Sequence, residues 1–235
     1  MSRHPGLFIA VDTTDTNSVS EFCSLARSRG IGLKIGMEAF YGIDFGTLRD
    51  LTRDVPIFLD LKLHDIPNTV DKAITSLLGR LTVQIMTVHA SGGLAMLTAA
   101  AKHQSATPVF DVAGVTILTS MNADDLSVFG VDQAEGKVVE LAGQVLQSGC
   151  NALVCSGYEV EAVKKLYPDL WTIVPGIRLS GGPNNDQKRV MTPYQAIQAG
   201  ADSLVVGRTI TSAIDPTSAL DQILDEMTVA GSIKK

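Results

Sequence analysis

Short apolar runs alternate with longer amphipathic stretches from one end of this chain to the other. The runs predict eight strands: Leu7–Asp12, Gly32–Met37, Val55–Leu63, Val83–His89, Ala113–Thr119, Ala152–Ser156, Trp171–Ile177 and Ser203–Val206. Continuous apolar runs of this length, bounded by polar or turn-forming residues, are the pattern of strands buried on both faces. Between them, helical spacing predicts helices over Ser18–Arg29, Thr69–Leu81, Leu94–His103, Lys137–Ser148, Glu159–Leu166 and Pro193–Ala199, with a last one over Pro216–Met227. Asn68 is placed to cap the helix that follows it, with Asp71 in the first turn. Thr192 precedes Pro193, a favoured first helical residue. Strands and helices alternate with no Pro/Gly/Ser-rich linker. The α/β class follows, as one (β/α)8 TIM barrel over residues 1–235. An open doubly wound sheet fits less well, because no Gly-x-Gly-x-x-Gly follows the first strand.

This architecture gives the polar residues a shared address. Asp12 ends the first strand and Lys34 lies on the second. Asp60, Lys62 and Asp65 come at the end of the third, Thr119 and Ser120 at the end of the fifth, Pro175-Gly-Ile-Arg178 at the seventh and Gly207-Arg208 at the eighth. Strand C-terminal ends are where such barrels carry chemistry. Strand alternation puts Asp60, Lys62 and His64 on one face, roughly 6–7 Å between successive members. Charges at the end of a buried strand need partners. Each carboxylate here keeps its neighbouring ammonium charged, and the reverse. A lysine kept protonated between two aspartates is a poor Schiff-base nucleophile, but it can stabilise a carbanion and then protonate it.

The ten residues Leu179-Ser-Gly-Gly-Pro-Asn-Asn-Asp-Gln-Lys188 form a long polar loop after the seventh strand, expected to act as a mobile lid. Gly207-Arg208 adds backbone N–H groups and a fork-shaped cation suited to a phosphate. The histidines carry less. His64 shares a face with Lys62 and is assigned a structural role. His89 either lines the pocket or satisfies a buried carbonyl, and His4 and His103 read as surface residues.

Composition narrows the classes. The 235 residues are 45% hydrophobic and 19% charged, enough for one sizeable core, with a net charge of −6. No basic run points to nucleic acid or an anionic membrane, and no apolar stretch approaches a membrane span. Three cysteines without a Cys-x-x-Cys pair give neither a disulfide framework nor a zinc site, and a soluble cytoplasmic protein is expected. No His-Glu-x-x-His, Walker-type loop or Gly-x-Ser-x-Gly elbow is present.

Six segments resemble the signature of the orotidine 5′-phosphate decarboxylase family. They are Asp60-Leu-Lys-Leu-His-Asp-Ile-Pro-Asn-Thr69, Leu33-Lys-Ile-Gly36, Val115-Thr-Ile-Leu-Thr-Ser-Met121, Pro175-Gly-Ile-Arg178, Asp186-Gln-Lys-Arg189 and Val206-Gly-Arg208. They follow the family's order and span most of the chain. Leu179 stands where the family often has a proline after the arginine.

The resemblance implies a homodimeric barrel that converts orotidine 5′-monophosphate to uridine 5′-monophosphate and CO2 without metal or organic cofactor. It implies Lys62 as the general acid protonating C6 and Asp60 beside the substrate carboxylate. Lys34 and Asp65 complete the charge network, Asp65 in the neighbouring subunit's site. Asp12 and Thr69 are implied at the ribose, with Ile66, Pro67 and Pro175 among the substrate-binding positions. Thr119 or Ser120 addresses the pyrimidine amide edge. Gln187, Gly207 and Arg208, with Arg178, address the phosphate. A magnesium-dependent 3-keto-gulonate 6-phosphate decarboxylase shares the Asp-x-Lys-x-x-Asp strand but carries an acidic metal ligand where this chain has Lys34, a cation that repels Mg²⁺. A non-catalytic nucleotide-binding barrel has no use for Asp60 and Lys62 together.

Overall fold

The computed structural model describes residues 4–105, 110–180 and 189–233. Its elements run β1 (Leu7–Val11), α1 (Thr16–Arg29), β2 (Gly32–Gly36), α2 (Met37–Gly42), α3 (Phe45–Thr52), β3 (Ile57–Leu63), α4 (Pro67–Leu78), β4 (Ile85–His89) and α5 (Gly93–Ala101). They continue with β5 (Asp111–Val115), α6 (Ala123–Ser127), α7 (Ala134–Gln147), β6 (Ala152–Val154), α8 (Val160–Leu166), β7 (Trp171–Val174), α9 (Pro193–Ala199), β8 (Ser203–Val206), α10 (Arg208–Thr211) and α11 (Pro216–Ile233). The eight strands pair in chain order, all parallel, and β1 closes the barrel by pairing with both β2 and β8. The expected (β/α)8 barrel is therefore the observed one. No helix among the described residues is long and apolar enough to cross a membrane.

Alternation along the strands separates two cores. Outward residues such as Ile9, Leu33, Leu59, Met86 and Val112 pack under the helices. Inward residues form a smaller cluster of Phe8, Ala10, Phe58, Ile85, Ala113, Ala152, Ile173 and Val205. Phe8 and Phe58 meet edge to face with centroids 5.5 Å apart and plug the barrel below, where aromatic pairs of this geometry pack well. Ala10, at the same face one step further along β1, leaves room above.

Several local expectations need correction. Helix α4 begins at Pro67, with Ile66 as an extended N-cap that makes no side-chain capping bond. Proline is preorganised for the first helical position and lacks the N–H a cap would satisfy. Asn68 therefore lies inside the helix and caps nothing. Asp71 falls beyond the first turn and instead lies 2.8 Å from His103 Nε2, which is half-buried rather than a surface group. His4 is also not on the surface: it is 2% exposed. Its ring contacts the Asp111 carboxylate at 2.5 Å and the edge of Trp171. Asn151 Nδ2 donates to the other Asp111 oxygen at 2.8 Å, so this end of the barrel is closed by a buried polar cluster. Thr192 does cap α9, in a reciprocal pair with Gln195.

Strand ends were overestimated where apolar residues continue past the ladder. The fifth strand stops at Val115, so Thr119 and Ser120 lie in the loop beyond it, not on the strand. Helices α2, α3, α6 and α10 have no counterpart in the sequence expectation. They are four to eight residues long, too short for a 3.6-residue period to show.

A buried ion pair braces the far side of the barrel mouth. Glu159, 1% exposed, pairs with Arg189, and its other oxygen accepts from Ser156 N at 3.0 Å. Removing one partner of such a pair strands the other charge. Arg189 keeps a fifth of its side chain in water, so Glu159→Ala is expected to destabilise the fold by about 1–3 kcal/mol, several degrees in Tm. Thermal denaturation checks this, and an unchanged Tm would show the pair to be dispensable.

Candidate active site

The charged residues meet at the C-terminal mouth, around a cavity of about 430 Å³. Ala10, Phe58, Val154 and Val205 form apolar lining, with Asp12, Lys34, Asp60, Lys62, Thr119, Ser120, Pro175, Arg178 and Gly207 around them. A largely apolar pocket with a few convergent polar groups is the ordinary form of a small-molecule site.

Asp60 is the hub. Its carboxylate accepts from Lys62 Nζ at 2.9 and 3.0 Å, and Lys34 Nζ stands 3.5 Å away. Lys34 also donates to Asp12 Oδ1 at 3.2 Å. Gly36 makes that approach possible, because a Cβ there would sit 2.4 Å from Asp12 Oδ1 and 3.1 Å from Lys34 Nζ. The Leu33-Lys-Ile-Gly36 run thus delivers the ammonium and clears its path. Burial pulls the Asp60 carboxyl upward, but Lys34 and Lys62, with hydrogen bonds from Lys62 and Thr87, outweigh it and hold the group below its ordinary value of 3.8. Asp60 is therefore ionised at neutral pH, between two cations.

Lys62 does not reach this position by simple alternation. Leu59 pairs with Met86 and Leu63 with Val88, so Asp60, Leu61 and Lys62 stand opposite Thr87 alone. Lys62 carries a φ of 50°, the one positive value outside glycine among the described residues. A left-handed non-glycine residue costs about 1–3 kcal/mol and clusters at functional sites. The bulge re-aims the side chain onto Asp60. It also throws the following residues outward. His64, Asp65, Ile66, Pro67 and Thr69 are all exposed, and none lines the cavity of their own chain. Asp65 accepts its neighbour Ile66 N at 2.7 Å. The expected shared face of Asp60, Lys62 and His64 is thus broken after Lys62. His64 instead stacks on His89, ring centroids 5.3 Å apart. His89 also meets Ser91 Oγ at 3.1 Å. Burial, then His64 and Lys62, push its pKa below 6.5, keeping the ring neutral at pH 7.

Arg178 is buried and borders both the main cavity and an adjoining cleft of about 580 Å³. Arg208, Thr13 and Ser18 line that cleft with Asp12. Gly176, at φ 80°, turns the backbone after β7 so that Arg178 N bonds Met191 O at 3.0 Å. Of the loop 179–188 expected to form a lid, residues 181–188, Gln187 among them, lie outside the described residues. The cysteines are buried thiols. Cys155 borders the cavity, but burial pushes its pKa up to about 12, so it is no nucleophile.

Thr87 is the residue that sequence reasoning passed over. It is fully buried and touches both Asp60 and the Lys62 backbone. Its signal was present: Ile85, Thr87 and His89 alternate on one face of the predicted fourth strand.

A family model described as orotidine 5′-phosphate decarboxylase / HUMPS family matches residues 5–223. The chain is 42% identical over 230 residues to an orotidine 5′-phosphate decarboxylase of Idiomarina loihiensis, covering 94% of this chain and 96% of that one. It is 40% identical to one of Shewanella sediminis, covering 98% and 100%. The crystal structure of orotidine 5′-phosphate decarboxylase from Lactobacillus acidophilus is similar in fold, with a TM-score of 0.81 and 33% identity, covering 95% of this chain and 99% of that one.

Proposed function

The chain belongs to the orotidine 5′-phosphate decarboxylase / HUMPS family, and we propose that the Lys34–Asp60–Lys62 cluster is where it turns orotidine 5′-monophosphate into uridine 5′-monophosphate and CO2. The observation that carries this reading is the Lys62 ammonium, held on Asp60 at the rim of an apolar cavity with Lys34 on the other side of the same carboxylate.

Breaking the bond between C6 and the carboxyl carbon releases CO2 and leaves its electron pair on C6. No neighbouring carbonyl delocalises that sp² carbanion, so a fixed positive charge must offset it. Lys62 supplies the charge and then transfers an Nζ proton to C6, and solvent restores the ammonium. Asp60 faces the departing carboxylate and keeps Lys62 oriented. Thr119 or Ser120 serves the pyrimidine edge, Asp12 the ribose, and Arg178, Gly207 and Arg208 the phosphate. Binding energy from the phosphate, remote from C6, is then available to assemble the charged site. Gln187 keeps its role at the phosphate as an expectation from the family resemblance.

The exposed segment 65–69 fits a second role. Asp65, Ile66, Pro67 and Thr69 serve the cavity of a second copy in a homodimer, which explains why they leave their own. Residues 1–235 act as one catalytic unit in the cytoplasm, and neither metal nor organic cofactor takes part. Lys34 supports the last point, since an ammonium 3.5 Å from Asp60 competes with any cation for that carboxylate.

Turnover is expected to continue in excess chelator, followed as the loss of orotate absorbance. No turnover, or turnover only on adding Mg²⁺, would overturn the assignment.

A further inference from the structure

The geometry points to Thr87 as a positioning residue for this reaction: its hydroxyl ties the backbone of Lys62 to the carboxylate of Asp60. The inference rests on the function proposed above and adds a residue that touches no substrate.

Thr87 stands on β4 opposite the two extra residues of β3. In a regular parallel pair, the Lys62 N–H would bond a backbone carbonyl of the neighbouring strand. Here it bonds Thr87 Oγ1 at 2.8 Å. The same oxygen lies 3.0 Å from Asp60 Oδ1. A hydroxyl has one proton and two lone pairs. The N–H can only donate and the carboxylate can only accept, so the Thr87 proton points to Asp60. One side chain therefore replaces the missing ladder bond, anchors a left-handed residue and aims the hub carboxylate.

Burial makes this anchoring strict. Thr87 is fully buried, between inward-facing Ile85 and the rim residue His89. A β-branched residue on a strand has little χ1 freedom, so the hydroxyl cannot swing away. Met86 and Val88, on either side, belong to the outer core and hold the strand in place. Without the hydroxyl, the Lys62 N–H loses its acceptor and Asp60 Oδ1 keeps only the Lys62 ammonium as a donor. Both reacting groups then sit on an unanchored bulge.

The test compares Thr87→Val, which keeps the shape and removes the hydroxyl, with Thr87→Ser, which keeps the hydroxyl. Misplacement of catalytic groups by about 1 Å costs about 100-fold, and that is the loss expected in kcat for T87V. KM should stay within about threefold, because the groups that hold the substrate elsewhere are untouched. T87S should recover kcat to within about threefold of the wild type, because it restores the hydroxyl at some cost in χ1 restraint. Thr87→Ala, which adds no crowding, is measured beside T87V and carries the same expectation should T87V fail to fold. A purely structural role would lower Tm but leave kcat per folded molecule at the wild-type level in T87V or T87A, and that result overturns the inference. A kcat in T87S as low as in T87A would overturn it as well. The wild type is the control for the reaction itself: if it fails to decarboxylate, the functional assignment falls. An active wild type with an equally active T87V removes only Thr87.

Discussion

Lys62→Ala is expected to lower kcat by about 10,000-fold or more, because it removes both the charge opposite the carbanion and the proton that quenches it. Uridine 5′-monophosphate should still bind. On the roles proposed above, Arg178 and Arg208 hold the phosphate that substrate and product share; Arg178 borders the cavity that Lys62 lines, and Arg208 lines the adjoining cleft. The fold should survive, since alanine meets the same left-handed backbone that lysine already occupies at φ 50°, and Asp60 keeps Lys34 and Thr87. Single-turnover kinetics and calorimetric titration with the product nucleotide separate the two effects. A variant that retains a few per cent of the wild-type rate would place the proton donor elsewhere.

Asp60→Asn is the second large effect. This carboxylate is the single anion shared by two ammonium groups. Its amide keeps the shape but leaves the two ammonium groups without the anion that stands between them. A loss of about 1,000-fold in kcat is expected, comparable with removing a preorganised charge-stabilising group elsewhere. Stability should also fall, by about 1–3 kcal/mol. The loss is small for a broken ion pair because the Lys62 side chain is 28% exposed and water partly compensates it. The sign with pH follows from the depressed Asp60 pKa. Its contribution is complete above the ordinary carboxylate value of 3.8 and disappears as pH falls through the lower folded value. Denaturant midpoints of wild type and D60N should therefore differ at neutral pH and converge below pH 3.8. A gap that persists in acid would mean that the carboxylate charge is not its source.

The barrel was legible because its strands are buried on both faces, which writes each of them as an apolar run. The same property blurred their ends. Ile117 is apolar and nearly buried, yet it lies past the last ladder pairing and lines the cavity. Lys34, Asp60 and Lys62 were legible as charges in places where a core residue belongs. Their contact was not, since alternation alone would have set Lys62 farther from Asp60 and carried His64 along with it. The bulge depends on pairing with β4, a partner 25 residues away at Thr87, and no local propensity contains that information. His4 was misread for a similar reason. A polar residue near a chain terminus suggests solvent, and only the closed barrel places Asp111, 107 positions later, beside it.

The three-against-one pairing of β3 with Thr87 has a consequence for how this site can change over generations. Substitutions around it can be graded, but its length cannot. Removing or adding one residue among positions 60–62 would exchange inward and outward faces for everything downstream as far as the start of α4. The ammonium would leave the cavity, and the exposed segment that follows would turn toward its own barrel. The reaction's geometry is thus stored partly as a residue count, and related sequences that keep this chemistry should tolerate many letters here but no gap.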